Sequence, residues 1–446
     1  MADPRVTILK RDGDQSAEFS NYEDARISSV AGDLIMIRAD LVEQILLKDS
    51  VDIFIMPGVS ISFSSDDTIV DNDLNYDDPV NCNIYGLGVI KNTGSGSCIR
   101  VKNPGSKLTV ECDYIQNVNG VAVNISPSLK FHLKCNYVYS QNLQAIRIGN
   151  FAAAGMVNEV KLDVIKVETG VVNSPSTGTT ALSTRGNGFV RIDEIICNNL
   201  GHCLSHQEGT ITARIKKMTS IMNRSGGNVS TVHLAANQGS TGQKLILYFD
   251  EINCLNGATN NALCGIECTI GTGIFIGRRV YSEIISSLDG AAIQIGNANT
   301  KGFVKCDEIV SKNNSALVLN EFTNEILVIA NYIEGNKTGD GGVIFSFDGA
   351  NFMLKNSTVK NVNSGSSVKG IGLFKGTNNP NVKLKNVKII SNGSTIFYNI
   401  SSPNIEVTNY NLFVNDPIGS NVDLLIGIKN EMDPDYNFLY IEDPDL

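Results

Sequence analysis

The chain is predicted to be all-β, wound as a right-handed parallel β-helix solenoid with caps at both ends. Three observations predict it. The first is a recurring short strand. Its clearest copy reads Gly302-Phe303-Val304-Lys305-Cys306-Asp307-Glu308-Ile309-Val310, with a near-twin at Gly188-Phe189-Val190-Arg191-Ile192-Asp193-Glu194-Ile195-Ile196. The second is its spacing. Looser copies place the Asp-like position at Asp113, Asn136, Asp163, Asp193, Lys216, Asp250, Ser282, Asp307, Asn331, Ser357 and Val387, in steps of 23 to 34 residues. A period of a few tens of residues marks a stacked repeat architecture, and the apolar/polar alternation within each copy is that of a half-buried strand. The third is a second alternation after a polar turn, at 121–125, 145–150, 292–297, 316–320, 343–347 and 395–398. Asn and Gly in those turns suit corners, because both tolerate left-handed backbone angles.

Composition agrees with a thin core and many turns: 41 glycines and only 18% charged residues in 446. About fourteen coils at a strand spacing of about 4.8 Å would give a rod of about 65–70 Å. The net charge of −10, with no basic stripe, argues against nucleic acid and against an anionic membrane. No apolar run is long enough to span a bilayer. Met1-Ala2-Asp3-Pro4-Arg5 is not followed by the apolar stretch of a signal peptide, so synthesis in a cytoplasm without conventional export is expected. Cys112, Cys135 and Cys306 share one inward repeat position. The ten cysteines are therefore expected to be reduced, buried small hydrophobes. Their spacings are not those of zinc sites or of a disulfide framework.

Taken in order, residues 1–31 form a capping segment, charged and irregular, with a short amphipathic helix over 19–30. Residues 32–410 are the β-helix. It opens with strands at Gly32-Asp33-Leu34-Ile35-Met36-Ile37 and Val51-Asp52-Ile53-Phe54-Ile55, the latter closed by Met56-Pro57-Gly58. With Asp24-Ala25 before them and Glu43-Gln44-Ile45-Leu46-Leu47-Lys48 between them, these elements resemble the start of the pectate-lyase-like superfamily of right-handed parallel β-helices. The Gly-x-Tyr usual in that family is replaced by Ala39-Asp40-Leu41. The resemblance covers about 40 residues here, and the coils extend it to about residue 410. It implies fold, with the opening covering the bare edge of the first coil. Polar insertions at 170–187, 222–243 and 255–263 lengthen three coils. Residues 411–446 form a C-terminal cap or oligomerisation segment, with strands at 422–426 and 438–441.

Candidate chemistry is weighed against a structural account at each place. Asp163 and Asp193 fall at one repeat position on adjacent coils, and Asp250-Glu251 and Asp307-Glu308 recur further on. Stacked carboxylates can serve as acid and base, yet these belong to the repeat itself, and Asn136 and Lys216 interrupt the column. His202 and His206 flank Cys203, with Glu208 nearby, but on a strand residues four apart lie about 13 Å apart, too far for one metal. Asp71-x-Asp73-x-Asn75-x-Asp77 resembles half of a calcium loop, but Tyr76 stands where Gly is needed and Cys82 where the closing Glu is needed. A solvated acidic loop is the expectation. No cofactor, metal or catalytic residue is assigned.

No catalytic signature of pectate lyases, pectin methylesterases or polygalacturonases stands out, and the chain has no Trp, the usual stacking platform of sugar-cleaving grooves. The expected function is therefore a virion-associated rod: a phage tail spike, fibre or decoration protein. Its partners are other virion proteins and a host-surface polysaccharide. A polysaccharide lyase or hydrolase on the same scaffold is the alternative, and a surface adhesin the third. The resemblance also implies a homotrimer. Phe438-Leu439-Tyr440-Ile441 has no further coil to cover it, so residues 411–446 are expected at the contact. Light scattering on the full chain and on a chain ending at Asn411 should give a trimer and a smaller species. A monomeric full chain removes the trimer, and an unchanged trimer after truncation moves the contact to the flanks of the coils.

Overall fold

The computed structural model of the chain describes residues 5–11, 16–71, 78–126, 128–149, 156–170, 180–198, 201–222, 228–234, 242–256, 262–283, 290–296, 300–320, 325–337, 342–347, 351–363, 369–374, 381–391, 395–399, 404–410 and 423–426. Among these it is a parallel β-helix. Each full coil gives one long strand to a first stack and one short strand to a second. Lys107–Asn117 pairs in parallel with Lys130–Ser140, and that strand with Val157–Thr169. Val123–Ile125 lies between Ile99–Val101 and Ile146–Ile148 in the second stack. The series runs to Asp423–Ile426, which pairs with Asn404–Tyr410 as the expected terminal strand. Residues 438–441 lie outside the described residues.

The insertions expected at 170–187, 222–243 and 255–263 are shorter than the sequence suggested. Leu182–Cys197, Asn228–Leu234 and Ala262–Cys268 carry second-stack strands that reach into those stretches. The first two are hard to read because small polar residues stand on both faces. Ser183, Ser230 and Thr231 are all buried, so hydropathy alternation fails there.

The Asp-like position has a definite role. In Lys107–Asn117, Leu108, Val110 and Cys112 point inward, then Asp113 and Tyr114 both face out, then Ile115 and Asn117 point inward. Pairing skips Asp113 and resumes at Tyr114. The residue is thus a corner that bends the long strand around the core. Register places Asp113, Asn136, Ile165, Asp193, Lys216, Asp250, Arg278, Asp307 and Asn331 in one corner column.

This corrects four expected marks. Asp163 stands opposite Lys134 and Arg191, two residues before the corner, so it does not stack on Asp193. Ser282 is fully buried, and Arg278 takes its coil's corner. In the last coils the corner comes one residue early, at Asn356 (φ 52°) and Asn386 (φ 54°), while Ser357 and Val387 turn inward. Asn tolerates that left-handed backbone better than most residues. The first two errors share a cause: a period-2 pattern looks the same after a slip of two or four residues.

Thiols and small polar groups complete the core. All ten cysteines are buried and free. The Cys112 and Cys135 sulfurs lie 3.7 Å apart. The Cys306 thiol donates to the carbonyls of Arg278 at 3.2 Å and Glu308 at 3.1 Å, beneath the bend. Phe249 occupies the space of a missing side chain at Gly277, where a Cβ would stand 2.4 Å from its ring. At the inner end of the long strands runs a buried column of Asn92, Asn117, Ser140, Thr169, Cys197, Ser220, Cys254, Ser282 and Ser311. Asn117 shows why: its amide donates to the carbonyls of Gly96 (2.7 Å) and Val121 (3.1 Å) and accepts from the N–H of Asn119 and Gly120. Main-chain groups left unpaired by the turn are thereby satisfied.

The N-terminal segment is more regular than expected. Val6–Leu9 pairs antiparallel with Ala17–Phe19 and with Leu34–Ile37, the opening strand of the helix. The α-helix is shorter than predicted, Tyr22–Ser28, with Asn21 as N-cap. Glu43 accepts from the Tyr22 N–H at 3.0 Å, and Lys48 donates to the carbonyls of Arg26 (2.9 Å) and Ser29 (2.6 Å). An anion at the helix start and a cation at its end complement its dipole. Replacing Cys306 tests the core. Cys306→Ser keeps a donor for both carbonyls and should melt close to the parent. Cys306→Asp points a carboxylate at two carbonyl oxygens and should cost about 3 kcal/mol or more. Equal melting of the two variants would contradict the inward column.

Candidate functional site

A groove of about 870 Å³ runs along the corner column across five coils. Two outward columns line it, separated by residues whose side chains point into the core. The first column holds Arg191, Arg214, Tyr248, Ile276 and Lys305; the second holds the corner residues Asp193, Lys216, Asp250, Arg278 and Asp307. Between them, Ile192, Ile215, Phe249 and Cys306 are buried, so the floor there is main chain. Phe189 stands at one end. Four coil steps make the groove about 19 Å long.

The two walls differ electrically. The corner wall alternates acid and base. Lys216 pairs with Asp193 at 2.9 Å, Arg278 pairs with Glu251, and Asp307 accepts from the Asn331 amide at 3.1 Å. The other wall carries three cations and two apolar groups. The Arg214 guanidinium lies over the Tyr248 ring, 5.7 Å from its centre. Five cations and three carboxylates line a groove in a chain of net charge −10.

Outside the groove, the column following the corner alternates strictly: Lys166, Glu194, Lys217, Glu251, Arg279, Glu308. Lys217 lies 3.7 Å from Glu194 and Arg279 3.4 Å from Glu308. This is the pattern that stacking at strand spacing demands, since like charges directly opposite destabilise a sheet. Above it Tyr114 and Tyr137 stack, ring centres 5.1 Å apart.

The sequence candidates are distributed unevenly. Asp193, Asp250 and Asp307 line the groove; Asp163 does not, and Glu251 and Glu308 belong to the alternating column. Asp71 accepts from the N–H of Lys102 (2.8 Å) and Asn103 (2.9 Å) and from the Ser106 hydroxyl (2.8 Å), so it is a turn-fixing residue. Residues 72–77 lie outside the described residues. Arg191, Arg214, Tyr248 and Lys305 were missed as site residues. The signal was present in the triplets Arg191-Ile192-Asp193, Arg214-Ile215-Lys216 and Lys305-Cys306-Asp307, each of which puts two side chains on one face. No protein-family model, no curated protein and no solved structure matches the chain.

Three of the four histidines are held by neighbours in or beside the core. His206 points into the core, its ring nitrogens 3.0 Å from the Thr184 hydroxyl and 3.0 Å from the Gly209 carbonyl. His202 precedes that strand and stacks on His233, ring centres 4.3 Å apart. Its Nδ1 lies 2.7 Å from the Ser230 carbonyl. Burial pushes His202, His206 and His233 down to about 4, and His233 lowers His202 further. Their folded values lie below the unfolded value of about 6.5. The stability they contribute is therefore full above that value and is lost as pH falls towards 4. Between pH 7 and 5 each should cost on the order of 2 kcal/mol. Melting temperature measured across that range should fall, and His233→Gln should flatten the fall. A level profile would show that the three rings are hydrated.

Proposed function

We propose that the chain is a glycan-binding β-helix rod, with the groove along the corner column as its binding surface. The observation that carries this is the groove's composition. Tyr248, Ile276 and Phe189 offer flat or apolar faces to the C–H side of sugar rings. The flanking charged groups offer donors and acceptors to hydroxyls, and the coil spacing repeats them along an extended polymer. Binding sites usually combine these features: a concavity, apolar surface and a few convergent polar groups. The resemblance of the N-terminal elements to pectate-lyase-like β-helices supports the same class of ligand. A virion setting, as a tail spike, fibre or decoration protein meeting a host-surface polysaccharide as a homotrimer, is the biological form of this proposal.

Asp193, Asp250 and Asp307 in the same groove favour a second reading, polysaccharide cleavage by carboxylates on neighbouring coils. One experiment covers both. The full chain is presented to a panel of bacterial capsule and plant cell-wall polysaccharides, scoring retention, reducing ends and unsaturated products. Retention without products supports the binding rod, and products that vanish in Asp250→Asn establish the enzyme. Tyr248→Ala should weaken retention by about tenfold, as loss of an aromatic platform does, with little change in melting. Retention indifferent to Tyr248 would place the binding surface elsewhere.

A further inference from the structure

We infer that the groove takes an anionic glycan, held through carboxylate or sulfate groups by the wall of Arg191, Arg214 and Lys305. This rests on the glycan-binding proposal above and narrows its ligand class.

Some cations on the long strands are matched within the rod, and others, among them Lys107, Lys130, Lys161 and Lys244, have no carboxylate within ion-pair distance among the described residues. Lys134 meets Glu111 at 2.7 Å, Lys166 meets Glu168 at 2.7 Å, and Lys312 meets Glu283 at 3.7 Å. Such matching is easy in a chain with 46 acidic and 36 basic side chains. Arg191 and Lys305 belong to the unmatched group, and they are the members of it that line the groove. Both are exposed, both line the groove, and among the described residues neither has a carboxylate within ion-pair distance. Arg191 stands between Asp163 and Arg214 in register yet forms no pair with Asp163. Lys305 stands between Ile276 and Ile329. Two unmatched cations at opposite ends of one wall, in an acid-rich chain, hold a local positive potential that solvent and salt alone now neutralise.

The opposite wall does not cancel it. Asp193 is engaged by Lys216. Asp250 and Asp307 remain as acceptors, and sugar hydroxyls are the donors that suit them. Tyr248 and Ile276 occupy the middle of the cationic wall, so its charge sits at the two ends with an apolar stretch between. Arg191 and Lys305 are four coil steps apart, about 19 Å. The complementary ligand carries anionic groups at both ends of such a span, with the C–H face of an uncharged sugar between them. Arginine adds geometric selectivity, since its planar fork matches carboxylate and sulfate oxygens.

The test uses the full chain and two matched pairs of polymers: hyaluronan beside its carboxyl-reduced form, and dextran sulfate beside dextran. The first pair reads carboxylate, the second sulfate. At least one anionic member should bind about tenfold or more tightly than its neutral partner, and its affinity should fall as salt rises. The double variant Arg191→Gln, Lys305→Gln should lose about tenfold in that affinity with unchanged melting, because both side chains are exposed and no like charges are set opposite each other. Lys107→Glu, outside the groove, should keep it. Equal binding within both pairs would overturn the anionic ligand while leaving the groove a glycan site. Anion binding indifferent to the double variant would overturn the assignment to this wall. No binding of any polymer, here or in the capsule and cell-wall panel, would remove both proposals together.

Discussion

The coils of this molecule answer to one constraint: parallel strands stack at strand spacing, so each side chain lies about 4.8 Å from its counterpart above and below. Whatever occupies a column must tolerate its own neighbours. Apolar columns satisfy this by packing. Polar columns satisfy it in specific ways. Lys166, Glu194, Lys217, Glu251, Arg279 and Glu308 alternate in sign. Tyr114 and Tyr137 stack ring on ring. At the inner turn, where the main chain leaves the ladder, Asn92 and Asn117 supply amides, and hydroxyls and thiols follow in the middle coils. The same rule produces the groove, since a column with a cation, a cation, an aromatic, an aliphatic and a cation is a surface with chemistry along its length.

Much of the fold was legible because its signal is repeated. The long strands carry an apolar alternation strong enough to survive insertions, and near-twins such as 188–196 and 302–310 fix the coil as a unit. Register was legible only where a corner residue was distinctive. Asp193, Lys216, Asp250 and Asp307 were placed correctly. Asp163 and Ser282 were misplaced by two and four residues, because alternation does not distinguish such slips and Ile165 and Arg278 do not look like corner residues. The second-stack strands around Ser183 and Ser230 were hidden for a different reason. Their outer faces are buried and their side chains small and polar, so neither periodicity nor hydropathy marks them. The N-terminal strands 6–9 and 17–19 are short and antiparallel, and a repeat-based view has nothing to align them with.

The candidate site was half legible. Its corner carboxylates stand out in the sequence as acids that recur at one repeat position. The residues that give the groove its character, Arg191, Arg214, Tyr248 and Lys305, stand two positions earlier in the same repeats. They are unremarkable one at a time. Their meaning appears when register brings them into one column and burial shows that only main chain separates them from the corner wall.

The contact between Phe249 and Gly277 bears on how such a rod can change over generations. Phe249 projects into volume that only a glycine in the next coil leaves free, and Gly277 lies beneath that ring as a matched socket. The two coils are therefore not exchangeable parts. Copying the Phe249 coil next to itself would set one phenylalanine against another in a space sized for a phenylalanine and nothing. Moving the Gly277 coil elsewhere would open a void where Ile192, Ile215 or Cys306 now meet their neighbours. Duplication and deletion of coils, the easy route by which solenoids lengthen and shorten, is obstructed at this joint. The obstruction falls within the five coils that form the groove, so the segment that carries the groove is also the one whose coil order the core holds fixed.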